Sequence, residues 1–228
     1  MLLSIDTSTL TASLCLTHNR VLIASRTLEG PGRRHAQVLV PEAGQLLSEQ
    51  GLTPKDLEAV AVSVGPGSFT GLRVGLVLAK TLAWLNQIPL LAVDTLQALA
   101  QQLIPGESIP ASANSVLIIS DAQRNEVFAC EYQYNQTSKL WFACGQLRIA
   151  QPAELSGCSV IAGPAVSRHE AIFNAFVQPP LCIELSPQAA AVAAVAEYLL
   201  ETSQTADPAM LEPVYVRPSY AEEKRAAK

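Results

Sequence analysis

Val60-Ala61-Val62-Ser63-Val64-Gly65-Pro66-Gly67-Ser68-Phe69-Thr70-Gly71-Leu72-Arg73-Val74-Gly75 is the stretch around which the chain is organised. It opens with a short apolar run rich in valine, the pattern of a buried strand. Gly65-Pro66-Gly67 breaks that run. Ser68 or Thr70 then caps a helix predicted to reach Gln87. A strand, a glycine-rich turn and a helix in this order bring backbone N–H groups to the edge of a parallel sheet, where ligands or partners bind. Between Gly71 and Gln87 the charged residues are Arg73 and Lys80, which fall on one face. The rest is apolar nearly all round, which implies burial on more than one side. Gly71, Gly75, Ala79 and Ala83 recur every four residues. Such a smooth stripe lets another backbone approach closely. That backbone belongs either to the chain's own sheet or to a second protein, and the two readings are compatible.

The glycine turn is not a phosphate loop, because Gly71 is followed by Leu72 and Arg73 rather than Lys and Ser/Thr. A dinucleotide pattern on Gly65, Gly67 and Gly71 has a last gap one residue too long. Composition narrows the field further. The 228 residues suffice for a sizeable core in one domain or two small ones. A hydrophobic fraction of 49%, a formal charge of -5 and a pI near 5.2 fit a soluble globular chain and argue against broad electrostatic binding of nucleic acid. Arg33 and Arg34 read as solvated loop residues. No segment approaches the roughly 18 apolar residues of a membrane span. The start, Met1-Leu2-Leu3-Ser4-Ile5-Asp6, lacks the basic region of a signal peptide. Cysteines 15, 130, 144, 158 and 182 are odd in number and widely spread, as in a cytoplasmic protein with reduced thiols.

Taken in order, residues 2–5, 12–16 and 21–28 read as three adjacent strands, the first ending in Asp6-Thr7-Ser8-Thr9. Residues 29–34 form a loop. Residues 35–50 carry helical apolar spacing in Val38, Leu39, Ala43, Leu46 and Leu47. Thr53-Pro54-Lys55-Asp56 opens a short turn. The central strand and helix follow, then a strand at 90–93 and a helix capped by Asp94 or Thr95 that runs to 103. A break rich in Pro, Ser and Gly spans 104–115. Strands at 116–120, 126–134 and 140–149 follow it, with Asp121 at the end of the first. A turn at 151–155, strands at 159–162 and 181–185, and an alanine-rich helix at 187–202 capped by Ser186 complete the pattern. The boundaries are therefore 1–103 for an N-terminal subdomain, 104–115 for a linker, 116–212 for a smaller C-terminal subdomain and 213–228 for a tail. Each half opens with a strand ending in aspartate. The expected fold is α/β: two related subdomains of mixed sheet flanked by helices, the actin-like, sugar-kinase-like arrangement built on the RNase H-like unit. The second half is short of one helix–strand unit.

In that architecture Asp6 or Asp121 would hold Mg²⁺, and a neighbouring glycine would let backbone N–H groups reach phosphate. Here Ser8 stands two residues after Asp6, and Ala122-Gln123-Arg124 follow Asp121. Turn formation at a strand end is the commoner role of such aspartates. Metal hydrolysis needs clustered ligands, and His18, His35 and His169 are isolated in sequence. Ser68 does not complete G-x-S-x-G, since the local order is Gly67-Ser68-Phe69. No self-sufficient catalytic set emerges.

The run from Gly65 to Gly75 resembles the signature of the bacterial TsaB (YeaZ) family. The resemblance extends through Ile5-Asp6-Thr7-Ser8, Arg34-His35-Ala36-Gln37, Val93-Asp94-Thr95-Leu96, Asp121-Ala122-Gln123-Arg124-Asn125-Glu126-Val127 and Pro213-Val214-Tyr215-Val216-Arg217. It covers nearly the whole chain. It implies an actin-like fold and a non-catalytic role in forming N6-threonylcarbamoyladenosine (t6A) at tRNA position 37. The implied partners are TsaD, a homologue that transfers the threonylcarbamoyl group, and TsaE, which joins in the presence of nucleotide. A homodimer forms when the family member is alone, and tRNA is met only through the complex. TsaD carries two metal-binding histidines whose positions correspond to Thr95 and Leu99 here. The resemblance thus implies no metal and no cofactor of the chain's own, with ATP or ADP shared within the complex. Any nucleotide contacts would fall on Asp6, Thr7, Ser8, Asp121 and Gly163. Pairing through the helices at 35–50 and 70–87 implies an interface at His35, Val38, Gly67, Phe69, Thr70, Gly71, Arg73, Val74, Gly75 and Ala79. The alternative is a stand-alone actin-like ATPase or kinase, or a metallopeptidase.

Overall fold

Three antiparallel strands open the chain: Leu2–Asp6 (β1), Ala12–His18 (β2) and Val21–Leu28 (β3). This is a computed structural model, and it describes residues 1–28 and 32–216, without the side chains of 32–36. Next come Gly32–Ser48 (α1), a single 3-10 turn at Pro54–Asp56, Ala59–Gly65 (β4), Phe69–Asn86 (α2), Leu90–Asp94 (β5) and Thr95–Ala100 (α3). The sheet order is β3-β2-β1-β4-β5, with β4 parallel to β1 and to β5. Every residue of β1 and β4 is buried. That is why both read as runs of apolar and small residues, broken only by Asp6 at the end of β1: parallel strands inside a sheet are covered on both faces.

The second half repeats the plan with Ser115–Gln123 (β6), Glu126–Asn135 (β7), Leu140–Ala143 (β8), Arg148–Ala150 (β9), Val160–Ala162 (β10), Val166–Asn174 (α4), Leu181–Ile183 (β11) and Ala189–Glu201 (α5). Its order is β11-β10-β6-β7-β8, with β9 also on β7. Read from the other end, this is the order of the first sheet. A duplicated unit of this kind is the actin-like, sugar-kinase-like α/β fold. The count of sheet positions is therefore complete. What the second half lacks is a full first helix, which shrinks to a 3-10 turn at Pro152–Glu154.

Packing shows how the halves join. Leu3, Ile5, Leu14, Val60 and Val62 face α1 and α2 from one side of the first sheet. Leu2, Cys15, Ala59, Ala61, Leu91 and Val93 face the opposite way, against Val192, Val195 and the alanines of α5. Helix α5, placed by sequence in the segment 116–212, thus crosses back onto the first sheet. Its small side chains allow the close approach. Leu96, Leu99 and Ala100 of α3 cover one face of the second sheet, and Val166 and Phe173 of α4 cover the other. Further expectations need correction. The strand expected at 140–149 is two, β8 and β9, and α3 ends at Ala100 rather than 103. Helix α1 starts at Gly32, inside the expected loop, and ends at Ser48. Helix α4 was not foreseen. Ser186 does not cap α5, whose cap residue is Gln188. The tail returns to the first sheet through Ala206 N–H to Leu90 O (2.8 Å) and Val214 N–H to Val64 O (2.7 Å). The charged end of the tail, with Glu222, Glu223, Lys224 and Arg225, lies outside the described residues. Among the described residues no helix is long and apolar enough to cross a membrane.

Candidate partner surface and strand-end loops

Helix α2 is set by its own first turn. Ser68 Oγ accepts Gly71 N–H at 3.2 Å, which satisfies an otherwise free helix-start donor. Ser68 N–H donates to Ser8 O at 2.7 Å, and Gly65 N–H donates to Thr95 Oγ1 at 3.1 Å. The turn is thereby fastened to the loop after β1 and to the start of α3.

The small-residue stripe serves that same loop. A Cβ on Gly67 would lie 2.5 Å from Ser8 O, one on Gly71 2.1 Å from Thr7 O, and one on Gly75 2.3 Å from Thr7 Oγ1. The backbone that approaches is the chain's own Asp6–Ser8 segment. Ala79 and Ala83 are buried as well. Gly71, Gly75 and Ala79, expected to touch a partner, are therefore turned inward, and half-buried Gly67 lies against Ser8.

The outward side of α2 is a different row: Phe69, Thr70, Arg73, Val77, Thr81, Trp84 and Leu85, with Val74 half-buried. Trp84 is 73% exposed, Val77 64% and Leu85 63%. On α1, Val40 is exposed and Val38 half-buried. The side chain of His35 lies outside the described residues. Arg73 and Lys80 remain the charged residues of α2. The sequence reading missed Val77, Trp84, Leu85 and Tyr215. The signal was present: positions 70, 73, 77, 81 and 84 trace one helical row opposite the glycines.

Arg73 is held at one end of this row. Its Cζ lies 3.9 Å from the Phe69 ring centroid and 5.6 Å from that of Tyr215. The two rings are 4.9 Å apart, and Arg73 Nε donates to Tyr215 Oη at 2.8 Å.

The expected nucleotide contacts lie on different sheets. Asp6, Thr7 and Ser8 are buried beneath α2. Ser8 N–H and O–H both donate to Asp6 Oδ1 at 3.0 Å, so these donors already serve a carboxylate. Burial pushes the Asp6 carboxyl above its ordinary range, and hydrogen bonding from the Ser63 side chain and then from Ser8 opposes the rise. Asp121 is exposed; it takes a 3.0 Å contact from Arg168 Nη1 and accepts Gln123 N–H at 2.8 Å. Gly163 has φ +134, and a Cβ there would lie 2.0 Å from Ile119 O, so it serves the approach of β10's end to β6. At the positions corresponding to the metal histidines, the Thr95 hydroxyl accepts a backbone N–H and Leu99 is fully buried. Among the described residues, no group of three or more His, Cys, Asp or Glu side chains is placed to hold a metal ion.

Residues 29–222 match the family model described as TsaD, tRNA N6-adenosine threonylcarbamoyltransferase. An uncharacterised protein of Mycobacterium tuberculosis is 32% identical over 218 residues, 94% of this chain and 90% of that protein. The tRNA threonylcarbamoyladenosine biosynthesis protein TsaB of Bacillus subtilis is 35% identical over 133 residues, 58% of this chain and 55% of that one. The same-named protein of Escherichia coli is 34% identical over 140 residues, 61% of this chain and 58% of that one. The alignment thus spans just over half the length of these TsaB relatives. Among solved structures, YeaZ from Pseudomonas aeruginosa superposes with a TM-score of 0.78 at 28% identity, over 94% of this chain and 98% of that one. A protein described by its similarity to peptidase YeaZ from that organism gives 0.80 at 29% identity, over 95% and 99%.

Proposed function

The chain belongs to the TsaD family, in its TsaB (YeaZ) branch, and we propose that it is a non-catalytic subunit of t6A biosynthesis that binds and activates TsaD. The observation that carries the reading is the outward row of α2. Val77, Trp84 and Leu85 stand exposed on a helix with two charges, and Val40 is exposed on α1, the helix that packs against it. An apolar surface of this kind, rimmed by polar residues, marks a protein–protein contact. Two further observations support the non-catalytic part. Thr95 and Leu99 serve turn and core where a transferase would need metal ligands. In the Asp6–Ser8 loop both Ser8 donors are turned onto Asp6. The word peptidase, attached to one structural relative, gains no support from these residues.

In this reading TsaD pairs with the α1–α2 surface, a second copy occupies it when the chain is alone, and TsaE joins with nucleotide. ATP or ADP belongs to the assembly rather than to this chain. Transfer RNA is engaged through the complex, in the cytoplasm. The test is t6A formation on unmodified tRNA in three mixtures: the full set, the set without this chain, and this chain in place of TsaD. Product from the first alone is expected. Undiminished product without the chain would remove the subunit role, and product from the third mixture would reveal a catalytic site of its own.

A further inference from the structure

We propose that Arg73, held by Phe69 and Tyr215, is the point at which the partner protein places a carboxylate, and that the tail segment 206–216 is the strap that holds it there. The inference rests on α2 as the partner-binding helix and adds the chemistry of the contact. Arg20, Arg26 and Arg168 each reach a carboxylate within the chain. Arg73 reaches none among the described residues; its Nε serves a phenol oxygen and its plane lies on Phe69. Among the described residues its two Nη groups therefore keep their donors, and the guanidinium is already fixed by Phe69 and Tyr215. A planar fork of this kind matches a carboxylate in a bidentate pair. Fixing it in advance lowers the ordering cost of binding.

The strap supplies the fixing. Val214 N–H bonds Val64 O at 2.7 Å, at the end of the central strand. Lys80 Nζ donates to Leu211 O at 3.0 Å, two turns along the helix from Arg73. Between strap and helix runs a groove of about 400 Å³ walled by Leu76, Val77, Leu211 and Pro213, with Glu212 also on its lining. Arg73 and Lys80 outnumber the one carboxylate of the lining, Glu212, and with the apolar walls they fit a protein segment that carries acidic and apolar side chains. A tRNA phosphate fits less well, since phosphate binding accumulates many cations and this chain has a net charge of -5.

The test is calorimetric titration of wild type, Arg73→Met, Arg73→Lys, Tyr215→Phe and Trp84→Ala with TsaD from the same organism, after circular dichroism has confirmed folding. Arg73→Met should weaken Kd about tenfold or more, as expected for an interface anchor. Arg73→Lys should not restore binding, because an ammonium lacks the fork and the flat face. Tyr215→Phe should weaken it by a smaller factor, because the ring stays and the tether goes. Should Arg73→Met not fold, Tyr215→Phe carries the comparison, and wild-type affinity for it would reject the clamp. Normal affinity in both arginine variants with loss in Trp84→Ala rejects the clamp and leaves the helix reading intact. No titration even by wild type rejects both. Normal TsaD affinity with weaker tRNA retention by the assembled complex would assign the anion to tRNA and overturn the carboxylate.

Discussion

Gly71 has no room for a methyl group, since its Cβ would sit 2.1 Å from a backbone oxygen, Thr7 O. Alanine gains about 1 kcal/mol in helix propensity over glycine. Overpacking against a backbone atom costs about 1–3 kcal/mol, and more when the neighbour cannot yield. Gly71→Ala should therefore lower the urea midpoint; an unchanged or higher midpoint would refute the close approach. Gly75 differs, because its Cβ would meet a side-chain atom, Thr7 Oγ1. The double variant Gly75→Ala/Thr7→Ala should lose less stability than the sum of the single losses, a coupling that additive behaviour would disprove. The spacing of these small residues was legible in sequence. Which backbone they admit was not, because a partner helix and the chain's own loop demand the same glycines. Asp6 yields a prediction in pH. Burial raises its carboxyl above the ordinary value of 3.8, so the native state holds that proton more tightly than the unfolded chain. The resulting stability is complete below the unfolded value and is lost as pH rises through the native one. Asp6→Asn keeps the shape and an acceptor for Ser8 N–H but does not titrate. Its stability advantage over wild type should grow from below pH 3.8 towards neutrality. Parallel stability–pH curves for the two proteins would contradict this.

Helix ends show where local reading stops. The start of α2 was legible because its cap, Ser68, is adjacent in sequence. Helix α5 begins instead where Ala189 N–H meets Ser13 Oγ at 2.8 Å, a cap delivered from β2 across 176 positions. No local pattern announces such a donor–acceptor pair, and Ser186 offered a plausible substitute. Helix α4 escaped for a related reason. Its cap residue, Ala165, makes no side-chain bond, and Ser167 N–H is taken by Glu184 Oε2 at 2.8 Å from just beyond β11. The two serines near α5 separate the readings. Ser13→Ala leaves a buried N–H without its acceptor and should cost about 1–3 kcal/mol by chemical denaturation. Ser186→Ala should stay within about 0.5 kcal/mol of wild type, as for an ordinary surface change. Equal effects would mean that the inter-sheet cap contributes nothing special.

The duplicated plan of the whole molecule was readable from two opening strands that carry Asp6 and Asp121 near their ends, β6 running on to Gln123, and from the repeated strand order. How firmly the halves are tied was not, because the ties are side-chain contacts between distant segments. Tyr132 Oη on β7 donates to Asp94 Oδ1 at 2.8 Å, and that same carboxylate oxygen caps α3 by accepting Gln97 N–H. Gln97 and Gln101 both donate to Trp141 O, and Trp141 Nε1 donates to Leu103 O. Helix α5, from the second half, lies on the first sheet. Enzymes that close two domains around a substrate depend on a hinge free to absorb backbone rotation. Here the connection through α3 is covered by the second sheet and bonded along its length. Two consequences follow if the molecule moves as one body. Amide exchange in α3 should be as slow as in β1 and β4, since exposing it requires opening both cores. Adding ATP with Mg²⁺ should leave the radius of gyration measured by X-ray scattering unchanged. Tyr132→Phe probes the tie directly. It removes a hydrogen bond to a half-buried carboxylate, worth about 1.5–3 kcal/mol, and should quicken exchange in α3 before it affects β1. Fast exchange in α3 of the wild type, or contraction on adding nucleotide, would show a working hinge. The chain would then act by opening and closing rather than by presenting one rigid helix surface to its partner.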